Sequence, residues 1–162
     1  MTIQAEAGLG EQMPHSLNPI AILKRDHRTL ATMLVVLETA SAPARRCELR
    51  TILAANLETH AITEEATVYA ALEEIDPRLA EHASWDHALL DVLVEDLLTL
   101  DPDDPQFGLT VGTLRSALAR HVLFEEGDLL PQVAATLGEG RMRELAMAMH
   151  DLRAERRQLR AA

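Results

Sequence analysis

Two copies of one short motif contain the residues of this sequence that are best suited to chemistry. The motif is a histidine followed, four and five positions later, by two glutamates, and it occurs at residues 60–65 and 121–126. Residues four apart on an α-helix lie one turn apart on the same face, so an imidazole and a carboxylate with this spacing can bind one metal ion. The pairs are His60 with Glu64 and His121 with Glu125.

A third histidine occupies a gap in an apolar stripe. Leucines recur at spacings of three and four through residues 23–37, and His27 lies where the stripe would otherwise continue. It is therefore predicted to point into the protein interior. The order of acid and histidine at residues 26–27 recurs at residues 81–82, which indicates a similar role for His82.

The next helix also contains polar candidates. At about 100° per residue, the leucines and valines of residues 89–100 define a core direction, and His82 lies roughly 40° from it. Asp86 lies almost along that direction, whereas His87 lies roughly 100° away. We therefore predict that His82 and Asp86 point inward and that His87 lies at the boundary.

Carboxylates in a core argue for a metal. A lone buried histidine is often a hydrogen-bonded core residue, but an unpaired buried carboxylate costs several kcal/mol or must be protonated. A metal removes this cost because it binds neutral imidazoles and ionised carboxylates. Two facing histidine–glutamate pairs could hold two ions, with the carboxylates free to bridge them. The candidate ligands are His27, His60, Glu64, His82, His121 and Glu125, with Asp86 and His87 as additional candidates.

Helix-start signals show which elements position these residues. An N-cap residue precedes a proline at residues 18–19, 76–77 and 104–105. With the other breaks, these signals predict helices over residues 19–41, 44–75, 77–100, 105–137 and 141–160. Short connections make sequential helices antiparallel neighbours. We therefore predict an all-α, up-down-up-down four-helix bundle over residues 18–137, after a flexible N-terminal arm (1–17) and before an additional C-terminal helix (138–162) packed on the bundle.

Composition agrees with this architecture and excludes other classes. The chain has 162 residues, of which 48% are hydrophobic and only 2% aromatic, so an all-β fold is disfavoured. A net charge of −11 disfavours nucleic-acid binding. The single cysteine, Cys47, permits no internal disulfide. No apolar run is long enough to span a membrane and no secretory signal is visible, so the expected location is the cytoplasm.

The predicted C-terminal helix has two notable faces. Its apolar stripe could either cap the bundle or form a homodimer; it contains Met142, Leu145, Met149 and Leu152. Its basic residues are interpreted as solvated helix surface; they are Arg153, Arg156, Arg157 and Arg160.

Taken together, the motifs resemble the hemerythrin-like family, specifically the HHE cation-binding domain. The resemblance covers residues 19–135 and rests on the order and spacing of residues 26–28, 60–65, 81–82 and 121–131. It implies a four-helix bundle around a non-haem di-iron centre. Carried over by position, the terminal ligands are His27, His60, His82 and His121, and the bridging ligands are Glu64 and Glu125. Oxygen carriers of this family have a second histidine four residues after the third-helix ligand, where this sequence has Asp86.

The sequence, with this resemblance, leaves three classes of function. The first is a di-iron protein that binds O₂ or a related small ligand for sensing, storage or stress response. The second is a di-iron oxidase or peroxidase that acts on H₂O₂, O₂ or NO. The third is a helical interaction protein whose metal is structural or absent. The sequence leaves the enzymatic character open, and the same ligands also suit zinc, manganese or another divalent metal. The expected partner is a small diatomic molecule or a peroxide rather than nucleic acid or a membrane.

Overall fold

The chain folds as a helical bundle. The computed structural model describes residues 17–161, and within this range it contains helices and no strand. Residues 1–16 of the predicted arm, with His15, lie outside the described residues. The helices are α1 (Pro19–Thr39), α2 (Pro43–Glu64), α3 (Ala70–Glu73), α4 (Pro77–Thr99), α5 (Pro105–Phe124), α6 (Leu130–Thr136) and α7 (Glu139–Ala161).

The predicted helix starts have the expected caps. The side chain of Asn18 accepts hydrogen bonds from the backbone N–H groups at the start of α1, and Asp76 does the same for α4. The Asp104 carboxylate accepts from the backbone N–H of Gln106. Each cap satisfies backbone donors that the first helical turn leaves free, and the proline after it has no N–H to satisfy. These local signals fix where α1, α4 and α5 begin.

Four rods form the bundle, and polar residues divide its core. Helix α1 packs against α2 and α5, while α4 packs against α5 and α2. One apolar cluster includes Leu23 and Leu72, and a second includes Leu30 and Leu114. Burying a leucine side chain contributes about 1.5–3 kcal/mol. His27 lies between Leu23 and Leu30 along α1, so the polar site is enclosed by an apolar cluster on each side.

Two short π-helical segments interrupt the rods. They cover Glu65–Tyr69, between α2 and α3, and Glu125–Leu129, between α5 and α6. Each begins within one residue of the first glutamate of a motif. A π segment adds one residue to the turn, so neighbouring residues can both face the core. Val68 and Tyr69 are accordingly both buried, and so are Leu129 and Leu130. The sequence pattern predicted continuous α-helices here and did not reveal these segments.

The last helix, α7, packs on the bundle through both of its notable faces. Met142, Leu145 and Met149 are buried in this contact. The interpretation of the basic residues as solvated surface is wrong for Arg153, which is only 12% exposed and pairs with Asp26 of α1. Arg156 and Arg160 pair with Glu58 of α2 at the surface. The side chains are long enough to cross between helices, which a one-helix pattern cannot show. Across residues 17–161, no helix is both long and apolar enough to cross a membrane.

Candidate metal centre

Five of the predicted ligands converge between the two apolar clusters. Each can offer one nitrogen or oxygen atom such that all five atoms lie within 4.8 Å of one another, and all five residues are buried. They come from α1, α2, α5 and the start of the second π segment. The residues are His27, His60, Glu64, His121 and Glu125.

The buried histidines form two pairs. The ring centroids of His27 and His60 are 5.0 Å apart, and those of His87 and His121 are 4.8 Å apart. Centroids of rings from different pairs are farther apart, for example 6.1 Å between His27 and His121. We call His27 and His60 the α1–α2 pair, and His87 and His121 the α4–α5 pair. Two close pairs side by side are the arrangement expected for two adjacent cation positions.

Both motif glutamates contact both pairs. Glu64 Oε2 lies 3.1 Å from His60 Nε2 and 3.2 Å from His87 Nε2. Glu125 Oε2 lies 3.1 Å from His27 Nε2 and 3.4 Å from His121 Nε2. Each carboxylate therefore lies between the pairs, within reach of both.

The predicted orientation of His82 is wrong, and His87 occupies the interior in its place. The His82 side chain is 59% exposed, with its ring packed beside Phe124. His87 is buried, and its Nε2 atom faces Glu64. The predicted core direction of α4 was based on residues 89–100, but several of their apolar side chains are exposed. The buried side of α4 instead includes Ala80, Ala83, His87, Leu90 and Leu97.

A better repeat was present in the sequence. Asp86 and His87 match Asp26 and His27 in residue type, and each dipeptide lies on the helix before a motif helix. This repeat would have selected His87. Asp86 itself does not join the convergent group; its side chain is 13% exposed and its Oδ1 atom lies 3.6 Å from the guanidinium of Arg120.

The second glutamate of each motif supports a histidine on another helix. Glu126 Oε1 lies 2.9 Å from His27 Nδ1, and Glu65 Oε1 lies 2.9 Å from His87 Nδ1. These hydrogen bonds leave Nε2 of each ring facing the interior. A carboxylate bonded to the far nitrogen fixes the ring and makes it a stronger metal ligand. The spacing indicated that both glutamates point away from their own histidine, but not which ring they reach.

Tyr69 is a site residue that the sequence reasoning missed. Its hydroxyl donates a hydrogen bond of 2.5 Å to Glu125 Oε1 and lies 3.1 Å from His87 Nε2. In a continuous α-helix, a residue five positions after Glu64 would point about 140° away from it. The π segment changes that direction and brings Tyr69 to the α4–α5 pair.

Burial and the neighbouring carboxylates shift the pKa values of the histidines in the metal-free centre. Burial opposes protonation of His27, but the carboxylates of Glu125 and Glu64 beside it raise its pKa to about 10. The pKa of His87 is also raised to about 10, against burial, by Glu64 and Glu65. Burial lowers the pKa of His121 to about 3. Two protonated imidazoles thus balance negative charge of the carboxylates, which a bound cation would otherwise neutralise.

Unsatisfied atoms show that the residues fit a cation. Nε2 of His27, His60 and His121 has no hydrogen-bond partner although each atom is buried, and the same holds for both oxygens of Glu64. Buried polar atoms are nearly always satisfied in folded proteins, and groups of exceptions mark functional sites. Imidazole nitrogens and carboxylate oxygens that face one another are the donor set of a transition-metal site.

Comparisons with known proteins agree with this geometry. The family model for the hemerythrin HHE cation-binding domain matches residues 18–133. A crystal structure of a hemerythrin HHE cation-binding domain-containing protein from Mycobacterium kansasii superposes with a TM-score of 0.73 at 21% sequence identity, covering 89% of this chain and 88% of that one. No curated protein sequence matches the chain.

Proposed function

We propose a function that starts from the family: the chain belongs to the hemerythrin HHE cation-binding domain family. In this proposal the bundle holds two iron ions. At these ions it binds O₂ or a related small ligand for sensing, storage or stress response. The observation that carries this proposal is the enclosed group of unpartnered imidazole nitrogens and carboxylate oxygens. No other described part of the chain offers such a group.

Two ions are supported by the division of the histidines into pairs. The α1–α2 pair and the α4–α5 pair each supply two imidazoles, and the two motif glutamates lie between them. Imidazole with carboxylate suits iron, although zinc and manganese accept the same donors. We assign the terminal ligands as His27, His60, His87 and His121, with Glu64 and Glu125 as bridges. His82 is replaced by His87 in this assignment.

The chain's own residues provide a dry and rigid setting. Leucine layers exclude water on both sides of the centre, and Glu126 and Glu65 hold two rings through Nδ1. Tyr69 keeps its proton, because burial and the nearby Glu64 and Glu125 charges raise its pKa. When bound, iron in this setting would supply reversible ligand binding or electron transfer.

A second candidate function is supported by Tyr69. A buried hydroxyl that retains its proton beside the α4–α5 pair can donate a hydrogen bond to a reduced oxygen species, as would suit a di-iron oxidase or peroxidase acting on H₂O₂, O₂ or NO. No fifth buried histidine accompanies the four in residues 17–161, and Asp86 lies beside Arg120 outside the convergent group. Fewer protein ligands leave more room for small molecules at the metals.

The proposed partner is a small molecule. A net charge of −11 disfavours the phosphate backbone of nucleic acid. A groove of about 500 Å³ between α1 and α5 leads from the surface to His27 and Glu126, and its walls include Leu34 and Val122. A small apolar molecule such as O₂ could approach the centre by this route.

An optical experiment tests the function. The metal-free chain is loaded with ferrous iron without oxygen, exposed to air, and then returned to an oxygen-free atmosphere. A visible absorption that appears in air and disappears on oxygen removal supports the binding function. Irreversible oxidation with rapid consumption of added H₂O₂ supports the enzyme instead, and Tyr69→Phe is then expected to slow that consumption while retaining iron. A chain that binds no iron overturns both functions.

A further inference from the structure

The outward nitrogen of His60 points toward a carboxylate that another helix secures. His60 Nε2 faces Glu64, so Nδ1 is the nitrogen that faces away from the centre. Nδ1 is buried and has no hydrogen-bond partner, and Asp26 Oδ2 lies 3.8 Å from it. The other ring of this pair, His27, has a direct 2.9 Å contact with Glu126. Asp26 is therefore placed to orient the ring of His60, as Glu126 orients the ring of His27.

Asp26 is held by an arginine of α7. Both terminal nitrogens of Arg153 donate to the two oxygens of Asp26, and the Arg153 side chain is only 12% exposed. A guanidinium that binds a carboxylate through two parallel hydrogen bonds fixes its orientation as well as its charge. Without this contact, Asp26 would be free to rotate away from His60 toward solvent.

A small cavity lies beside these three residues. It has a volume of about 80 Å³, and its walls include Asp26, His60, Arg153 and Thr59. This is room for a water molecule that could bridge the 3.8 Å gap between Asp26 Oδ2 and His60 Nδ1. Carboxylate, imidazole and guanidinium thus enclose one space beside the metal centre.

We propose that Arg153 is a positioning residue of the metal centre, which holds Asp26 beside His60 and so makes this one contact of α7 a determinant of metal binding at the α1–α2 pair. The proposal rests on the metal site proposed above. It assigns to the C-terminal helix a role beyond covering the bundle.

The chain provides a matched control. Arg156 and Arg160 also attach α7 to α2 through Glu58, and Arg160 donates in addition to the Ala55 carbonyl and the Thr59 hydroxyl, but neither arginine contacts Asp26. The double variant Arg156→Gln/Arg160→Gln weakens docking of α7 while leaving the contact of Arg153 with Asp26 in place. Arg153→Gln removes that contact.

The test is titration of the metal-free proteins with cobalt(II), whose visible spectrum reports its ligands. We expect Arg153→Gln to weaken binding of one of the two cobalt ions by about 10- to 100-fold and to alter its spectrum, as loss of groups that orient a metal ligand does. The double variant is expected to bind both ions within about twofold of the native chain, because it leaves the contact of Asp26 intact. Amide hydrogen exchange in α7 measures how far each variant loosens the helix.

Two further variants show whether Arg153 acts through Asp26. Asp26→Asn should weaken the same ion, and adding Arg153→Gln to it should produce little further loss, since residues that act as a unit are not additive. Arg153→Lys, which keeps the charge but not the paired donors, should fall between native and Arg153→Gln.

Several results overturn the proposal. The first is an Arg153→Gln chain that binds cobalt as tightly as the double variant. The second is a loss of cobalt affinity on Arg153→Gln that is as large in the Asp26→Asn background as in the native chain. If Arg153→Gln does not fold, native affinity for both ions in Arg153→Lys overturns it. A native chain that takes up neither cobalt nor iron overturns the proposed function itself.

Discussion

The two histidine pairs are nearly alike where they face each other and different where they face outward. In the α1–α2 pair, His27 is supported by Glu126, and His60 lies beside Asp26, which Arg153 holds. In the α4–α5 pair, Glu65 supports His87, but Nδ1 of His121 has no hydrogen-bond partner.

The acidic residue that corresponds to Asp26 is paired with a more exposed arginine. Asp86 is 3.6 Å from Arg120, a side chain that is 62% exposed, whereas Arg153 beside Asp26 is only 12% exposed. The α4–α5 pair has instead the hydroxyl of Tyr69. The two pairs thus differ in what lies beside them: the α1–α2 pair has two carboxylates near its outer nitrogens, and the α4–α5 pair has one carboxylate and the Tyr69 hydroxyl.

The largest effect is expected from the two glutamates that the pairs share. Glu64→Gln or Glu125→Gln should disturb both ions, because each carboxylate contacts both pairs. Metal bound only by the native state stabilises it by about 2.7 kcal/mol at a hundredfold excess over Kd, so these variants should lose most of the metal-induced rise in Tm. Calorimetry with and without iron measures this. Glu144→Gln, at a surface ion pair with Arg141, is the control.

The next effect should be confined to one pair. His87→Ala should remove one ion and leave the other bound to the α1–α2 pair, because His87 supplies a buried nitrogen to only one position. His82→Ala, on the exposed side of the same helix, should keep both. Metal analysis after desalting distinguishes them. If His82→Ala loses an ion and His87→Ala does not, the assignment of the α4–α5 pair is reversed.

A smaller effect on metal affinity is expected from the two glutamates that hydrogen-bond to ligand histidines without being ligands themselves. Glu126→Gln and Glu65→Gln should each weaken binding of one ion by about 10- to 100-fold, since each removes the charged acceptor of a ligand's outer nitrogen. Cobalt titration gives the two affinities. Equal losses would show that the direct supports of the two pairs match, so that the difference between the pairs lies in Asp26 and Tyr69. No loss in either variant would exclude both glutamates from the centre.

A further expected effect is a dependence of stability on pH. His27 and His87 have pKa values of about 10 in the folded metal-free chain, raised above the ordinary value of 6.5. Their contribution to folding is therefore present below pH 6.5 and is lost as pH rises toward 10. The Tm of the metal-free chain should fall across that range, whereas metal binding, which displaces these protons, should strengthen. A metal-free Tm that is constant from pH 6.5 to 10 would contradict these protonation states.

Much of the architecture could be predicted from local signals. Asn18, Asp76 and Asp104 act through neighbours in sequence, so the helix starts were readable. The motif residues were readable because one helical turn places His60 and Glu64 together whatever surrounds them.

Other features depend on the tertiary structure and were not readable from spacing. The orientation of α4 follows from which of its apolar residues meet another helix, so a direction averaged over buried and exposed leucines and valines alike selected His82 instead of His87. Tyr69 reaches the centre only through a π segment, which the hydrophobic pattern does not encode. The contact of Arg153 with Asp26 joins residues on the last and first described helices, and only the folded bundle brings them together.

The most direct test of the metal centre is the iron content of the folded chain. After loading with ferrous iron without oxygen and removal of free metal, we expect about two iron ions per chain, as in other bundles with paired carboxylates and histidines. The variant Glu64→Gln/Glu125→Gln, measured in parallel, should retain essentially none. A well-folded native chain that retains no iron, or no more than this variant, would contradict the central claim.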